Sequence, residues 1–535
     1  MSNHINKKNI PLDGFEGLKQ NFSADALSGF LVFLLALPLS LGIAGASDFP
    51  PIYGLITALI GGIVVSFFAG SVLTIKGPAA GLIVIVAGSV AELGHGDAEL
   101  GWKLALGAIV VAGVLQVLFG LLKLGALSDF FPLSAVHGML AAIGIIIISK
   151  QLHILFGMNP VTESGKPMVE PLELLVELKN TFAHFFQHTD VDIVGIVCLV
   201  IVFGWPMLPV KMFKKIPSAV VVLIVSIPLS QYLGIHNGNG ETPLLKFDKG
   251  LNDILGVNVS FDGFSQTGTF IKFVVMFALV GSLEAVLTVK AVDMLDPYKR
   301  KSNANKDLIA VGMGNIIAGV LGGLPMISEV ARSSANVSNG GKTRWANFFH
   351  GVFIFVFLIF AVSFSDLIPK AALAAMLIGV GWKLAHPREF GYMAKIGLDQ
   401  ITVFVVTIIF TLATDLLVGI AVGIVLELIL HLSRGVSYRS LFNAKMTVNG
   451  TTIKVKGAAV FSNFIKVKNK LIEFPLTSKV VLDVRDCALV DHSVIETLHH
   501  LKDDFETEGG ELIIMGIEEF TPISKHKLSV HRKRK

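Results

Sequence analysis

Thr74-Ile-Lys-Gly77-Pro78-Ala-Ala-Gly81 and Gly322-Gly-Leu-Pro325-Met-Ile-Ser328-Glu329 open the two shortest, most interrupted apolar runs of the chain. Each places glycine and then proline just ahead of a short apolar helix. Proline is tolerated in a first helical turn, where its missing N–H would be unpaired anyway. The runs they open, 78–92 and 326–340, are the third and the tenth of fourteen between residues 25 and 437. Several of the others are long enough for a ~30 Å hydrocarbon core, which needs about 20 residues. The two lie an odd number of spans apart, so the halves that hold them face opposite ways. Such a pair, at matching places in two halves, points to a midplane site in an inverted-repeat transporter. On that reading two half-helices enter from opposite faces and their N-termini meet. Each N-terminus offers unpaired N–H groups and about half a positive charge, and together they suit an anion. The competing reading is a pair of ordinary kinked helices.

Composition points the same way. Of 535 residues, 53% are hydrophobic and only 16% charged, against about 25% charge in ordinary soluble domains. A soluble chain this long would have several polar surfaces to cover. The 53 glycines suit close helix packing in lipid. A net charge of +4, from 44 Lys+Arg and 40 Asp+Glu, gives no reason to expect nucleic acid as a partner. Cys198 lies in an apolar run and Cys487 in a polar one, so no disulfide is expected. Residues 1–24 include Lys7, Lys8, Asp13 and Glu16 and no long apolar stretch. They read as a cytoplasmic segment without a cleaved signal peptide.

An even number of spans puts both termini on one side. Basic residues concentrate in the loops of that side: Lys123; Lys211, Lys214 and Lys215; Lys299, Arg300, Lys301 and Lys306; Lys342 and Arg344; Lys383, Arg388 and Lys395. The opposite loops are mostly acidic or neutral, with some lysines such as Lys166, Lys246 and Lys249, mostly in longer loops. The positive-inside rule therefore puts both termini in the cytoplasm. The transmembrane domain spans 25–437, and the composition turns polar after His431.

Residues 445–520 read as a small α/β domain. Thr451–Val455, Val480–Val484 and Glu511–Met515 have strand character. Ser493–Glu508 has Leu498, Leu501 and Phe505 at helical spacing, and Gly509–Gly510 makes the turn. The basic tail, 521–535, is expected to be disordered and able to touch anionic lipid.

Ionisable residues inside spans are costly and mark function by default. Glu284 sits well inside the eighth span, with Thr288 one turn away on the same face. Glu329 and Arg332 open the tenth. Glu284 reads either as a proton or cation coupling site or as a hydrogen-bonded packing residue. Arg332 reads either as an anion ligand or as the structural partner of Glu329. Lys290 and Asp293 are expected to snorkel or pair. His137 reads as a packed or interfacial histidine; His95, His153 and His188 lack metal-ligand spacing. Ser333 and Ser334 either face a cavity or back-bond to their helix. There is no phosphate-cradling GxxxxGK[ST] motif, no His/Cys cluster and no nucleophile elbow. Gly312-Met-Gly314 reads as helix packing. Neither an enzyme nor a cofactor is expected.

Four further stretches carry a resemblance: Ala36-Leu-Pro38-Leu-Ser40-Leu-Gly-Ile-Ala44 with Pro50-Pro-Ile-Tyr-Gly-Leu55; Lys76-Gly-Pro78-Ala-Ala-Gly81; Gly281-Ser-Leu-Glu284-Ala-Val-Leu-Thr288 through Asn305-Lys-Asp-Leu to Gly314-Asn315; and Ala331-Arg332-Ser-Ser-Ala-Asn336 with Asn339-Gly-Gly-Lys342-Thr343. In this order they resemble the SulP family of inorganic anion transporters, relatives of the exchangers that include prestin and pendrin. The resemblance implies a polytopic α-helical membrane protein of 14 spans in a 7+7 inverted repeat. A core domain (spans 1–4 and 8–11) would move against a gate domain (spans 5–7 and 12–14). It implies a substrate set of Pro38, Ser40, Ala79, Ala80, Gly81, Ser328, Ala331 and Arg332, and coupling-ion residues Glu284, Thr288 and Glu329. In a sodium-coupled bicarbonate branch, Asp and Thr at the positions of Glu284 and Thr288 help hold Na⁺; the Glu here leaves H⁺ or Na⁺ as the coupling ion. The family often has Thr or Ser where this chain has Ala79 and Ala80, which weakens any transfer of substrate specificity. A homodimer is also implied. The compact chain with short termini is expected to be bacterial, which would place it in the inner membrane.

The C-terminal domain resembles a STAS domain, through Asp483-Val-Arg-Asp486 and Val490-Asp-His-Ser493. The resemblance makes Ser493 a possible phosphosite, at a predicted helix N-terminus that tolerates phosphate, with a regulatory protein as partner. The plainer reading is that Ser493 is only a helix N-cap. The function expected is secondary active transport of sulfate or bicarbonate by an elevator-like shift. The alternatives are an uncoupled chloride channel or exchanger, an organic-anion or nucleobase transporter of the same fold, and a membrane receptor with the STAS domain as output.

Overall fold

The computed structural model describes residues 10–125, 131–159, 168, 171–183, 189–209, 216–236, 243–245, 256–360 and 362–533. Lys7, Lys8, Lys166, His188, Lys211, Lys214, Lys215, Lys246 and Lys249, used above, lie outside them. The chain forms two compact units, one within 5–125 and 143–384, the other within 126–142 and 385–535.

Each apolar run contains a helix: α1 Gly14–Ala46, α2 Ile52–Ile63, α3 Ile83–Gly94, α4 Ala98–Leu121, α5 Leu133–Leu155, α6 Thr189–Gly204, α7 Ser218–Tyr232, α8 Thr267–Leu295, α9 Ala304–Leu321, α10 Val330–Ser338, α11 Trp345–Phe360, α12 Lys370–Leu384, α13 Leu398–Ala413 and α14 Leu416–Ser433. Among the described residues, six helices are long and apolar enough to cross a membrane, those holding α1, α4, α5, α6, α8 and α14. Large apolar side chains such as Val200, Ile224 and Phe360 are exposed along the helices. That is the surface a bilayer covers.

The first helix starts earlier than its apolar run. Asp13 caps Gly14, and α1 continues unbroken through residue 25, the expected boundary of the transmembrane domain. Asp25 and Ser28 have partners in α10 and the segment after it. Asp25 accepts from the Lys342 N–H (2.7 Å), the Thr343 N–H (3.1 Å) and the Thr343 hydroxyl (2.5 Å). Ser28 donates to Asn336 Oδ1 at 2.7 Å. A paired polar residue is affordable inside a helix that a lone one would end. A second departure is helix Pro171–Ala183, in a stretch read as loop. His153 fastens it, contacting Thr181 Oγ1 (2.5 Å) and the Leu174 carbonyl (3.0 Å).

Glycines let α4 and α9 touch by their backbones. A β-carbon on Gly113 would stand 2.8 Å from the Gly312 carbonyl, and one on Gly312 would stand 2.6 Å from that of Gly113. Gly312 therefore serves helix packing, as its motif suggested.

The decisive stretches are not helical where glycine and proline stand. β1 (Ile75–Pro78) and β2 (Met326–Glu329) pair antiparallel, with Lys76 opposite Ser328 and Pro78 opposite Met326. Extended backbone away from water must find hydrogen-bond partners, and here side chains share the task with the strand pairing: the Ile75 N–H donates to Ser333 Oγ and the Lys76 N–H to Asn347 Oδ1. Pro78 has no N–H to give. The Met326 carbonyl accepts instead from Asn315 Nδ2 at 3.2 Å, the Met326 N–H donates to Asn315 Oδ1 at 2.6 Å, and Asn315 Nδ2 also donates to Gln116 Oε1 at 2.7 Å. Helical structure begins only after the strands, with a 3₁₀ turn Ala80–Leu82 leading into α3, and with α10 after β2.

The C-terminal domain has six strands: β3 Lys445–Asn449, β4 Thr452–Ala459, β5 Lys479–Val490, β6 Glu511–Met515, β7 Phe520–Pro522 and β8 His531–Lys533. The sheet order is β3-β4-β5-β8-β7, with β6 on β5. β4 and β6 run parallel to β5; β3 is antiparallel to β4. Helix α15, His492–Thr507, buries Leu498, Leu501 and Phe505 in the core with Ile453, Val480 and Leu482. The expected disordered tail is a correction. Residues 520–533 complete the sheet, β8 pairing with Leu489 and Val490 of β5 and with β7, and Val530 is buried. Basic composition hid a strand whose backbone, not its side chains, does the pairing. Cys198 and Cys487 are both free and buried.

Candidate functional site

The site is built on the two strands and the helices they start. α1 and α8 each pack against both crossing segments, α1 on β1 and α10, α8 on β2, α3 and α10. The predicted residues Pro38, Ser40, Ala79, Ala80, Gly81, Glu284, Thr288, Ser328 and Arg332 are all buried, and Ala331 and Glu329 partly so. The structure therefore gathers the first ten of them and Glu329 into one region of the larger unit. Ser493 lies in the other unit.

Both helix starts face a carboxylate. Glu284 lies directly on the turn before α3: a β-carbon on Gly81 would stand 2.0 Å from Glu284 Oε1 and 2.4 Å from Oε2. Glu284 Oε1 is buried and has no hydrogen-bond partner among the described residues. Glu329 caps α10, accepting from the Arg332 backbone N–H at 3.0 Å. The two N-termini are thus not an open pair of positive ends; each is answered by an acidic side chain.

Arg332 supplies a buried positive charge without a side-chain hydrogen bond among the described residues. Its side chain is fully buried, and Nε, Nη1 and Nη2 have no hydrogen-bond partner among the described residues. The guanidinium rests on β1, where a β-carbon on Gly77 would stand 2.1 Å from Nη1. The hydrogen bond of Arg332 to Glu329 runs through the backbone N–H, and the guanidinium and the Glu329 carboxylate attract each other through space. Ser40 and His350 add further buried polar atoms without partners among the described residues: Ser40 Oγ and both His350 ring nitrogens.

Other predicted residues take scaffold positions. Ser328 Oγ donates to Asp307 Oδ2 at 2.9 Å. Ser333 back-bonds to the Glu329 carbonyl at 2.5 Å and accepts from the Ile75 N–H at 2.9 Å. His137 meets Glu389 at 3.2 Å on a half-exposed surface. Sequence reasoning passed over Lys76, Asp307 and Asn315. All three stood inside quoted motifs, and the signal available was a lysine and a carboxylate within apolar runs.

In the smaller unit, Ser493 is not the N-cap of α15. Asp491 is, accepting from the Val494 N–H at 2.8 Å and also from the Phe461 N–H at 2.6 Å. The Ser493 hydroxyl accepts instead from the Leu133 N–H at the start of α5, at 3.1 Å. Nearby, His431 at the end of α14 lies 3.3 Å from Glu427 Oε1 and 3.8 Å from Asp491 Oδ2. Burial pushes the Asp491 carboxyl up, against the opposing pull of His431.

Residues 22–409 match the sulfate permease family model. The chain belongs to the sulfate permease family. Like the other members it is an integral membrane transporter and not an enzyme. The YvdB protein of Bacillus subtilis (strain 168) is 26% identical over 96% of this chain and 95% of its own. The bicarbonate transporter BicA of Picosynechococcus sp. is 24% identical over 73% of this chain and 68% of its own. The solved structure of SLC26A9 is similar in fold, with a TM-score of 0.67 over 93% of this chain and 84% of that one, at 14% identity.

Proposed function

We propose that this sulfate permease family member is a secondary active transporter of a small inorganic oxyanion, sulfate or bicarbonate. The observation that carries the reading is Arg332, a buried guanidinium with no protein hydrogen-bond partner among the described residues. A buried guanidinium without hydrogen-bond partners is costly even beside the Glu329 carboxylate, and an anion bound beside β1 would offset that cost. Sulfate and bicarbonate both present oxygens that a planar guanidinium fork can bind.

In this account Pro38, Ser40, Ala79, Ala80, Gly81, Ser328, Ala331 and Arg332 form the substrate site, and Glu284, Thr288 and Glu329 the coupling site for H⁺ or Na⁺. Ionised Glu284 disfavours an anion nearby; binding H⁺ or Na⁺ there removes the repulsion. That couples the two movements by charge alone. The fourteen helices form a 7+7 inverted repeat, and spans 1–4 and 8–11 move as a core against spans 5–7 and 12–14. The C-terminal domain is a STAS domain, with Ser493 as its phosphosite and a regulatory protein as its partner. The transporter works as a homodimer in a bacterial inner membrane with both termini cytoplasmic. The test is purified protein in liposomes, with radiolabelled sulfate and bicarbonate under imposed pH or Na⁺ gradients. Accumulation of one anion under a gradient supports the reading; accumulation of neither rejects it.

A further inference from the structure

His431, near the end of α14, is fully buried. Its Nε2 lies 3.3 Å from Glu427 Oε1, one turn back on the same helix. It lies 3.8 Å from Asp491 Oδ2, which comes from the C-terminal domain. The ring also meets Phe461 of that domain, with centroids 6.0 Å apart. Neither ring nitrogen has a hydrogen-bond partner among the described residues. The neighbouring charges are mostly engaged elsewhere. Asp491 accepts from the Phe461 N–H at 2.6 Å and the Val494 N–H at 2.8 Å, and such bonds favour an ionised carboxylate. Glu427 Oε1 accepts from Gln400 Nε2 at 3.1 Å, and the same amide donates to Asp399 Oδ2 at 3.1 Å. Asp399 pairs with Arg434 at 2.9 Å, so those two charges offset each other. That leaves His431 to face Glu427 and Asp491.

A neutral imidazole here would leave two buried carboxylates close together and its own nitrogens unsatisfied, and both conditions are costly. An imidazolium is attracted to both carboxylates, in surroundings that screen charge poorly. Histidine is also the side chain whose charge changes near neutral pH. One carboxylate belongs to a span and the other to the C-terminal domain, so the proton acts across the joint between them. Asp491 caps α15 and holds the loop at Phe461. Whatever loosens Asp491 therefore loosens the start of α15 and that loop together. We propose that protonated His431 is a pH-sensitive latch between α14 and the C-terminal domain. With its proton it draws Asp491 onto the end of α14. As pH rises and the proton leaves, Glu427 and Asp491 repel and the joint opens. The latch does not depend on which anion is carried.

The test is amide hydrogen exchange on the full-length protein in lipid nanodiscs, from about pH 6 to about pH 9, with each rate corrected for the intrinsic pH dependence of exchange. The readouts are segments 460–464 and 492–496, which contain the two N–H groups that Asp491 accepts from. Residues 480–484 of β5 are the control. In the unaltered protein, protection of both readouts should fall about tenfold across this range, the size of a one-unit difference in proton affinity, while the control stays constant. Asp491→Asn keeps a good helix cap and removes the charge on the domain's side, so protection should become independent of pH. His431→Gln should also abolish the pH dependence, at the weak protection the unaltered protein shows at the alkaline end. A cluster that only braces the fold would leave the unaltered protein flat across the range, and that result overturns the proposal. A pH dependence that survives in either variant overturns it as well. If His431→Gln does not fold, the Asp491→Asn arm decides. Exchange needs no transport, so this outcome is separate from the fate of the transport reading.

Discussion

The Glu284 carboxylate lies so close to Gly81 that a β-carbon there would stand 2.0 Å from Oε1. This contact joins the eighth span to the turn that starts α3. It explains why residue 81 has no side chain, and it puts the one buried acid of α8 at a helix start.

Gly81→Ala should therefore damage transport without unfolding the protein. Overpacking of this kind costs about 1–3 kcal/mol, and if that falls on the site, uptake drops about tenfold or more. The rate of anion uptake per folded protein checks this. An unchanged rate would mean that Glu284 is free to leave the turn.

Glu284→Gln keeps the shape and removes the charge. Gradient-driven accumulation should be lost, while anion exchange across the membrane at equal pH and Na⁺ persists. Counterflow and gradient-driven uptake, measured on the same vesicles, separate the two. Accumulation that continues unchanged would remove Glu284 from the coupling role.

The sequence made much of this legible. Glycine and proline ahead of two short apolar runs marked where the chain departs from simple spanning helices, and Glu284 and Arg332 stood out as charges in apolar surroundings. What it concealed was long-range pairing. β1 and β2 are only four residues each and lie about 250 residues apart in the chain. Neither has an alternating pattern, because both of their faces are largely buried. Lys76 and Asp307 looked like motif letters until the fold placed them 2.9 Å apart. The early start of α1 was hidden for the same reason, since Asp25 reads as a boundary unless its partners at 342–343 are known. At the other end of the chain, a run of basic residues masked β8, whose contribution is backbone pairing.

Ser493, in the first turn of α15, accepts from the start of α5. Ser493→Ala removes the acceptor of the Leu133 N–H, a loss of about 0.5–1.5 kcal/mol. Amide hydrogen exchange at the start of α5 should accelerate several-fold, with little change in the core of the C-terminal domain. Unaltered exchange at residues 131–137 would show that the contact does not hold α5.

Asp483 gives a pH test outside the membrane. Its bidentate pairing with Arg485, at 2.7 and 2.9 Å, holds the carboxyl at about 2, below the usual 3.8. A lowered carboxylate adds stability above its unfolded value and loses it as pH falls through its folded value. The difference between the unaltered protein and Asp483→Asn should thus be constant above about pH 5 and fade toward pH 2. Arg485 is half-exposed, so solvent screening keeps the difference small. Hydrogen exchange along β5 across this range measures it. A difference that grows on acidification would contradict the assignment.

Transport on this reading means that a gradient drives an oxyanion to a site at Arg332. The most direct measurement is concentrative uptake of radiolabelled sulfate and bicarbonate into liposomes holding the unaltered protein or Arg332→Ala, under an imposed pH or Na⁺ gradient. The account predicts that one anion accumulates above its equilibrium level, and that Arg332→Ala raises its KM at least about tenfold, the cost of one lost charge-assisted contact. Accumulation of neither anion, or an Arg332→Ala protein with unchanged KM, would contradict it.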